Sequence, residues 1–490
     1  MNHVPNHTAY ARMKPRPALS VLLMGTALTF AGPVLAEELA VTAAKLAEVQ
    51  VAGTLPMTAA AVDLAVVGYT EREFYAEGVA NRYRGAMDGD LDDAEIIDGN
   101  WPYHTRVLVR TPDAAAFNGT LVVEWANVTA GQDIDFAFAE SWEYLLSEGY
   151  AVAVVSAQNV GVERLKTWSP ERYGNLSIAV DNVDPVDGSA IDDCGLTAAL
   201  NCPGDPLSWD IMTQVSKALK DNAGDNPPLP GLTVEHVIAL GESQSAHRLT
   251  RYYNTIQPLY GFFDGFVFLD LARQLRADLT VPAISVNSEV TVALNATPTT
   301  SEYTRVWDVA GASHASLYGA EYIDNMVVRD QSFASPAGPL SFTQIVESQN
   351  CDLLPLFSTV DSGLVLNAAL ASVDAWIKTG EAAAPTRMLE RDAVGAVARD
   401  ANGDALGGIR IAQFTAPTAF LAPNGKPIFC LLSGHHRDFT AEELKTRYGS
   451  HDAYVAQVSS ATLQAVEDGY VLEFDADAAI KAAEASDVAR

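Results

Sequence analysis

The stretch Val237-Ile238-Ala239-Leu240-Gly241-Glu242-Ser243-Gln244-Ser245-Ala246-His247-Arg248 constrains this chain more than any other. An apolar run reaches a glycine, turns through a serine and passes at once into a segment rich in Ala, Arg and Leu, the pattern of a strand giving way to a helix. So sharp a turn strains the serine backbone and lifts its hydroxyl above a sheet edge, which requires small residues two positions before and two after it. Gly241 meets that requirement, and Ser245 stands where a second glycine is usual. Ser243 is therefore the candidate nucleophile, and the alternative is a serine that only caps the following helix.

Strand-like runs alternate with helical stretches on both sides of this turn. His104 to Arg110, Thr120 to Trp125, Ala151 to Ser156, His236 to Leu240, Gly265 to Leu269, Ala283 to Val286 and Arg305 to Val309 are mostly short, β-branched and bounded by turn residues. Ala65 to Arg84 suggests an opening antiparallel strand pair, while Phe136 to Ser147 and Asp210 to Asp221 have helical spacing. The alternation predicts an α/β fold whose largely parallel sheet is covered by helices on both faces. With 490 residues, 48% of them hydrophobic, the chain can fill either two domains or one large core with insertions. Two regions break the alternation. Residues 160–208 form a Pro- and Asp-containing excursion that reads as a lid-like insertion. A helix from Val365 to Lys378 precedes a C-terminal extension of about 380–490, with Ala441 to Arg447 and Tyr454 to Glu467 as helix candidates.

Residues 1–36 read as an export signal. Lys14 and Arg16 precede the apolar run Leu19 to Phe30, and Pro33-Val34-Leu35-Ala36 ends in the small residue a signal peptidase prefers. The folded chain is then expected over 37–490, in the periplasm or outside the cell, and Met13 is an alternative start. The run is shorter than the roughly 20 residues a spanning helix needs, so no stable membrane insertion is expected. Net charge is −31, and loss of the segment's only charges, Arg12, Lys14 and Arg16, leaves the remainder more acidic still. Such a surface repels nucleic acid and anionic membranes. It also agrees with neutral or cationic substrates, although an acidic solvated surface needs no functional reason. Four cysteines in an exported chain suggest disulfides. Cys194 and Cys202, eight apart, could form a local staple, which leaves Cys351 for Cys430. No Cys-x-x-Cys or His cluster has metal spacing, so neither a metal nor a cofactor is expected.

A serine hydroxyl needs a base, and the base needs a carboxylate to orient it. On a strand-turn-helix of this kind the chain order is nucleophile, acid, base. Of nine histidines, His314, His435, His436 and His451 lie well beyond Ser243. His314 follows a strand in the small-residue loop Ala310-Gly311-Ala312-Ser313-His314, where a base belongs, whereas the other three sit in contexts that look structural. His247, one turn along the elbow helix, lines the pocket or packs the helix. Glu289, just past the strand Ala283 to Val286, is the favoured acid. Asp264 and Asp270 flank the preceding strand, and Asp270 is the alternative. For the oxyanion, backbone N–H donors are expected from Gln244 and from Asn127 or Val128 in the turn after Thr120 to Trp125.

The sequence resembles an exported bacterial alpha/beta hydrolase domain family whose members carry Gly-x-Ser-Gln-Ser. The resemblance is carried by Gly119 to Val128, Ser156-Ala157-Gln158, Arg172-Tyr173-Gly174-Asn175-Leu176, Gly241 to Ala246, and Val309 to Ala315. It extends to Gly407-Gly408-Ile409-Arg410 and to the pair Cys351 and Cys430. It implies an α/β-hydrolase fold, makes Ser245 an expected residue, and matches Glu289 to the family's acidic pattern through Ser288-Glu289-Val290-Thr291. The implied activity is serine hydrolysis of a small-molecule or polymeric carboxylic ester through an acyl-enzyme. The alternatives are an amidase or peptidase using the same residues, and a non-catalytic binding protein on the same fold. The sequence carries no signature of oligomeric state.

Overall fold

A computed structural model describes residues 38–51, 53–193, 204–422 and 427–490. Among the described residues nine strands form one sheet: β1 (Lys45–Glu48), β2 (Tyr69–Arg84), β3 (Glu95–Pro112), β4 (Thr120–Trp125), β5 (Ala151–Val155), β6 (His236–Glu242), β7 (Gly265–Leu269), β8 (Ala283–Ser288) and β9 (Thr304–Val309). Their order is β1-β2-β3-β5-β4-β6-β7-β8-β9. From β5 to β9 every neighbouring pair is parallel, and β1, β2 and β3 add an antiparallel flank.

The central strands are apolar at nearly every position because both faces are covered. Leu121, Val123, Val237, Ala239, Phe266 and Phe268 point into one core, which includes the helices Ser208–Asp221 and Gln244–Arg251. Val122, Ile238, Leu240, Val267 and Leu269 point into the other, beneath the helices Phe136–Ser147, Leu317–Asp330 and Gly363–Thr379. Period-two alternation thus sends successive residues of one strand into two separate cores. Gly265 shows how closely the covering layer approaches: a Cβ there would lie 2.5 Å from Val373 Cγ1 in the helix Gly363–Thr379.

Ala65 to Arg84 does not form a strand pair. Leu64–Val67 is a single 3-10 turn, and β2 then runs unbroken to pair with β3, so the reversal falls after Arg84, with Gly85 and Gly89 at positive φ. The insertion at residues 160–208 is described except for 194–203. Its described part packs beside β2 and β3 and behind the elbow helix: Ser177 bridges to His104, Arg82 donates to Asp181 O and Val183 O, and Arg248 pairs with buried Asp192. Cys194 and Cys202 lie outside the described residues.

The C-terminal extension covers the open edge of the sheet. Asp308 N donates to Arg387 O, Ala310 N donates to Ile409 O, and Ile409 N donates to Asp308 O, so polar groups of β9 that would template another strand are occupied. A disulfide joins Cys351 to Cys430 and ties the segment after the helix Phe342–Glu347 to the helix Ile428–Ser433. Among the described residues no helix is long and apolar enough to cross a membrane.

The bridge closes a loop of 79 residues, so in the chain-entropy picture its removal costs about 4 kcal/mol. Cys351→Ser combined with Cys430→Ser is expected to lower the denaturant midpoint measured by tryptophan fluorescence, and an unchanged midpoint would show that the bridge does not constrain the unfolded chain.

Candidate active site

Strand β6 ends at Glu242 and the next helix starts at Gln244, so residue 243 alone makes the turn. Ser243 holds φ 55° and ψ −118°, a conformation that costs a non-glycine residue about 1–3 kcal/mol and persists only where its surroundings enforce it. Gly241 is one such enforcer, since a Cβ there would sit 3.0 Å from the backbone of Ser245 and Ala246. Ser245 is another. Its hydroxyl accepts from Glu242 N at 2.9 Å and donates to Glu242 O at 2.8 Å, closing the turn with two hydrogen bonds that glycine could not make.

The turn delivers the Ser243 hydroxyl to His314, with Oγ 2.7 Å from Nε2. His314 is held by a loop pinned at several points. Glu140 accepts from Ser316 N and Ser316 Oγ, at 2.9 and 2.6 Å. Leu432 O accepts from His314 N at 3.0 Å, and Ser358 N donates to Ser313 Oγ at 2.8 Å. The other imidazole nitrogen, Nδ1, lies 3.0 Å from Asp270 Oδ2.

The carboxylate facing Nδ1 is therefore Asp270 and not Glu289. Glu289 is the first residue of the helix Glu289–Leu294, and that turn carries its side chain away from His314. Its Oε1 accepts from Gly311 N at 2.6 Å and its Oε2 pairs with Arg399 at 2.7 Å, so it anchors the histidine loop. Its neighbours serve Asp270 directly, with Ser288 N and Thr291 Oγ1 donating to Asp270 Oδ1. The Ser-Glu-Val-Thr pattern thus marks the residues that support the carboxylate at Nδ1, which itself stands one strand earlier. Asp270, at φ 57°, turns out of β7 in a left-handed conformation, and its position just past a strand was the available sequence signal.

The two candidate oxyanion loops meet beside Ser243, with one adjustment. Gln244 N is the first amide of its helix and has no partner within it. Asn127 N donates to Ile134 O at 2.9 Å, whereas Val128 N makes only a long contact of 3.5 Å to Gln244 Oε1, so Val128 is the more available backbone donor of the two. The Asn127 side chain instead clamps the elbow, donating from Nδ2 to Glu242 O and Glu242 Oε2 at 2.9 and 2.8 Å. Gln244 extends the clamp by donating from Nε2 to Gln158 Oε1 at 2.9 Å, the same oxygen that accepts from Trp125 Nε1. The His247 side chain points to Asp88, while His435 and His436 bond the carbonyls of Pro355 and Phe357, and His451 bonds those of Val488 and Glu484, so none of the four imidazoles is directed to the Ser243 hydroxyl.

Ser243 and His314 open into a cavity of about 50 Å³ walled by Phe136, Phe342, Phe357, Phe429 and Leu432. No described residue of 160–208 lines it; most of that wall comes from residues 342–433, including the segments that the disulfide joins. Burial alone would lower the His314 pKa, but the charge of Glu242, the hydrogen bond and charge of Asp270, and the charge of Glu140 outweigh it and raise it to about 9. Burial pushes the Glu242 carboxyl up to about 8, helped by the charges of Asp270 and Glu140 and opposed by His314 and Asn127.

The alpha/beta hydrolase domain family matches residues 35–481, and the chain belongs to that family. No curated protein sequence matches the chain. Among solved structures, an a/b serine hydrolase without lid from Xanthomonas campestris is 10% identical, over 44% of this chain and 71% of that one, with a TM-score of 0.23. A rice cell wall degrading esterase from Xanthomonas oryzae is 12% identical, over 46% of this chain and 45% of that one, with a TM-score of 0.21.

The two carboxylates are separated by their effect on serine reactivity. Asp270→Asn is expected to slow labelling of Ser243 by a fluorophosphonate by a factor on the order of 10³–10⁴, as loss of the orienting acid does in other serine hydrolases. Glu289→Gln keeps an acceptor for Gly311 N and is expected to change that rate only several-fold. The reverse ranking would return the acid to Glu289.

Proposed function

We propose that this member of the alpha/beta hydrolase domain family hydrolyses carboxylic esters of small acyl groups through an acyl-enzyme, with Ser243 as nucleophile, His314 as base and Asp270 as the orienting acid. The observation that carries the reading is the continuous line Ser243 Oγ, His314 Nε2, His314 Nδ1, Asp270 Oδ2, with separations of 2.7 and 3.0 Å on either side of the ring. Ser243 Oγ attacks the ester carbonyl while its proton passes to Nε2, and Asp270 stabilises the imidazolium that forms. The carbonyl oxygen, now negative, takes the N–H groups of Gln244 and Val128. His314 then gives its proton to the departing alcohol. A water activated by the same nitrogen releases the acid and restores Ser243.

The leaving group is read from the base. An imidazole whose pKa is raised to about 9 is a strong base and a correspondingly weak acid. An alkoxide departs with less proton assistance than an amide nitrogen requires, so a weak acid at Nε2 favours an ester over an amide. The acyl group is read from the cavity. The space of about 50 Å³ beside Ser243, a few times the roughly 10–15 Å³ that one water takes, fits a short acyl chain within the aromatic wall. The Cys351–Cys430 disulfide supports a setting outside the cytoplasm.

Ser243→Ala is expected to abolish both fluorophosphonate labelling and turnover of p-nitrophenyl acetate in folded protein; retained turnover would exclude Ser243 as nucleophile, and an inert wild type would exclude catalysis. Acetyl and propionyl esters are expected to exceed the octanoyl ester in kcat/KM by about tenfold or more, the equivalent of about 1.4 kcal/mol of barrier. Phe429→Ala, by opening the wall, should narrow that gap, and a wild-type preference for long chains would contradict the small-acyl reading.

A further inference from the structure

The residue before the nucleophile has no part in the steps above, yet it reaches the reacting nitrogen. Glu242 is 3% exposed, its Oε2 is held by Asn127 Nδ2, and its Oε1 lies 3.2 Å from His314 Nε2. The imidazole therefore meets a carboxylate at each nitrogen, Asp270 at Nδ1 and Glu242 at the Nε2 that must take the serine proton. A third carboxylate, Glu140, adds its charge from the helix Phe136–Ser147. Phe342, Phe357, Phe429 and Leu432, which close the cavity, bring no charge. Buried carboxylates crowded round one imidazole cannot all remain charged and unpaired, so a proton held jointly lowers the cost of burying them.

We infer that Glu242 is a further catalytic residue: with His314 it holds one proton across the Oε1 to Nε2 contact, and Ser243 becomes a nucleophile only after that proton leaves the pair. While the proton is present, on Nε2 or on Oε1, the lone pair of Nε2 is either used or faces a hydrogen, and the Ser243 hydroxyl has no acceptor. Loss of the proton to water leaves a neutral imidazole beside an ionised Glu242. Ser243 Oγ can then attack as its proton moves to Nε2. The new imidazolium donates toward Glu242 until the departing alkoxide collects the same proton, so every proton is accounted for and the pair is free again. The raised values of both groups agree with a site that binds its proton tightly.

The inference rests on the proposed hydrolysis, and the dependence of kcat/KM on pH for wild type and Glu242→Gln tests it. Glutamine keeps the size of the side chain and an acceptor for Asn127. In the wild type the acid limb should lie well above the roughly 6.5 of an ordinary imidazole, and in Glu242→Gln it should fall by about one pH unit or more. A limb that stays in place overturns the inference, and it leaves the Ser243 reading intact if Ser243→Ala is inert. Should Glu242→Gln not fold, titration of the unsubstituted protein by ¹⁵N-histidine NMR decides the matter without any turnover. The resonance missing from His314→Gln should titrate well above the ordinary value, in the same step as a glutamate carboxyl, and an isolated titration near 6.5 overturns the inference.

Discussion

A single residue with φ 55° between a strand and a helix is the constraint on which the site depends. Backbone strain of that size relaxes unless the neighbours forbid it, and here they act from both sides. Gly241 lets the helix start pass within contact distance, Ser245 bonds back across the turn, and Asn127 and Gln158 hold the residues on either side of the serine. Behind the turn, Arg248 and Arg251 of the same helix pair with Asp192 and Asp193 of the 160–208 insertion. The described part of that insertion thus buttresses the helix that starts at the serine.

The second constraint is the loop that carries His314, whose ties come from distant parts of the chain. Glu140 belongs to the helix after β4, Glu289 follows β8, and Leu432 and Ser358 come from the C-terminal third. That third also closes the edge of β9 and supplies much of the aromatic wall of the cavity. Stability and specificity are therefore coupled: the disulfide that restrains the extension also holds Phe357 and Phe429 near the proposed nucleophile. A change in that region acts on packing and on the shape of the cavity together.

Local chemistry explains why some of this is legible in the sequence and some is not. The parallel strands read clearly because burial on both faces makes them short apolar runs, and the elbow reads clearly because its steric demands fall on three positions spaced two apart, Gly241, Ser243 and Ser245. The order of nucleophile, acid and base left four histidines, and the small-residue loop after β9 singled out His314. The choice between Asp270 and Glu289 depends instead on whether the first residue past a strand turns left-handed or enters a helix, and that is decided by contacts with Ser288, Thr291 and Gly311 that no local pattern encodes. The second oxyanion amide depends likewise on a bridge between Asn127 and Ile134 across the same loop. The pocket wall was not legible at all, because it joins residues 136, 342, 357 and 429 through long-range packing.

The central claim is that Ser243, His314 and Asp270 act as one unit with Gln244 and Val128 facing the oxyanion. A crystal structure of the protein carrying a phosphonyl group tests it most directly. The account predicts phosphorus bonded to Ser243 Oγ, the phosphonyl oxygen within hydrogen-bond reach of both amides, and His314 Nδ1 still on Asp270. An adduct on another residue, or an imidazole that turns to Glu289, would contradict it.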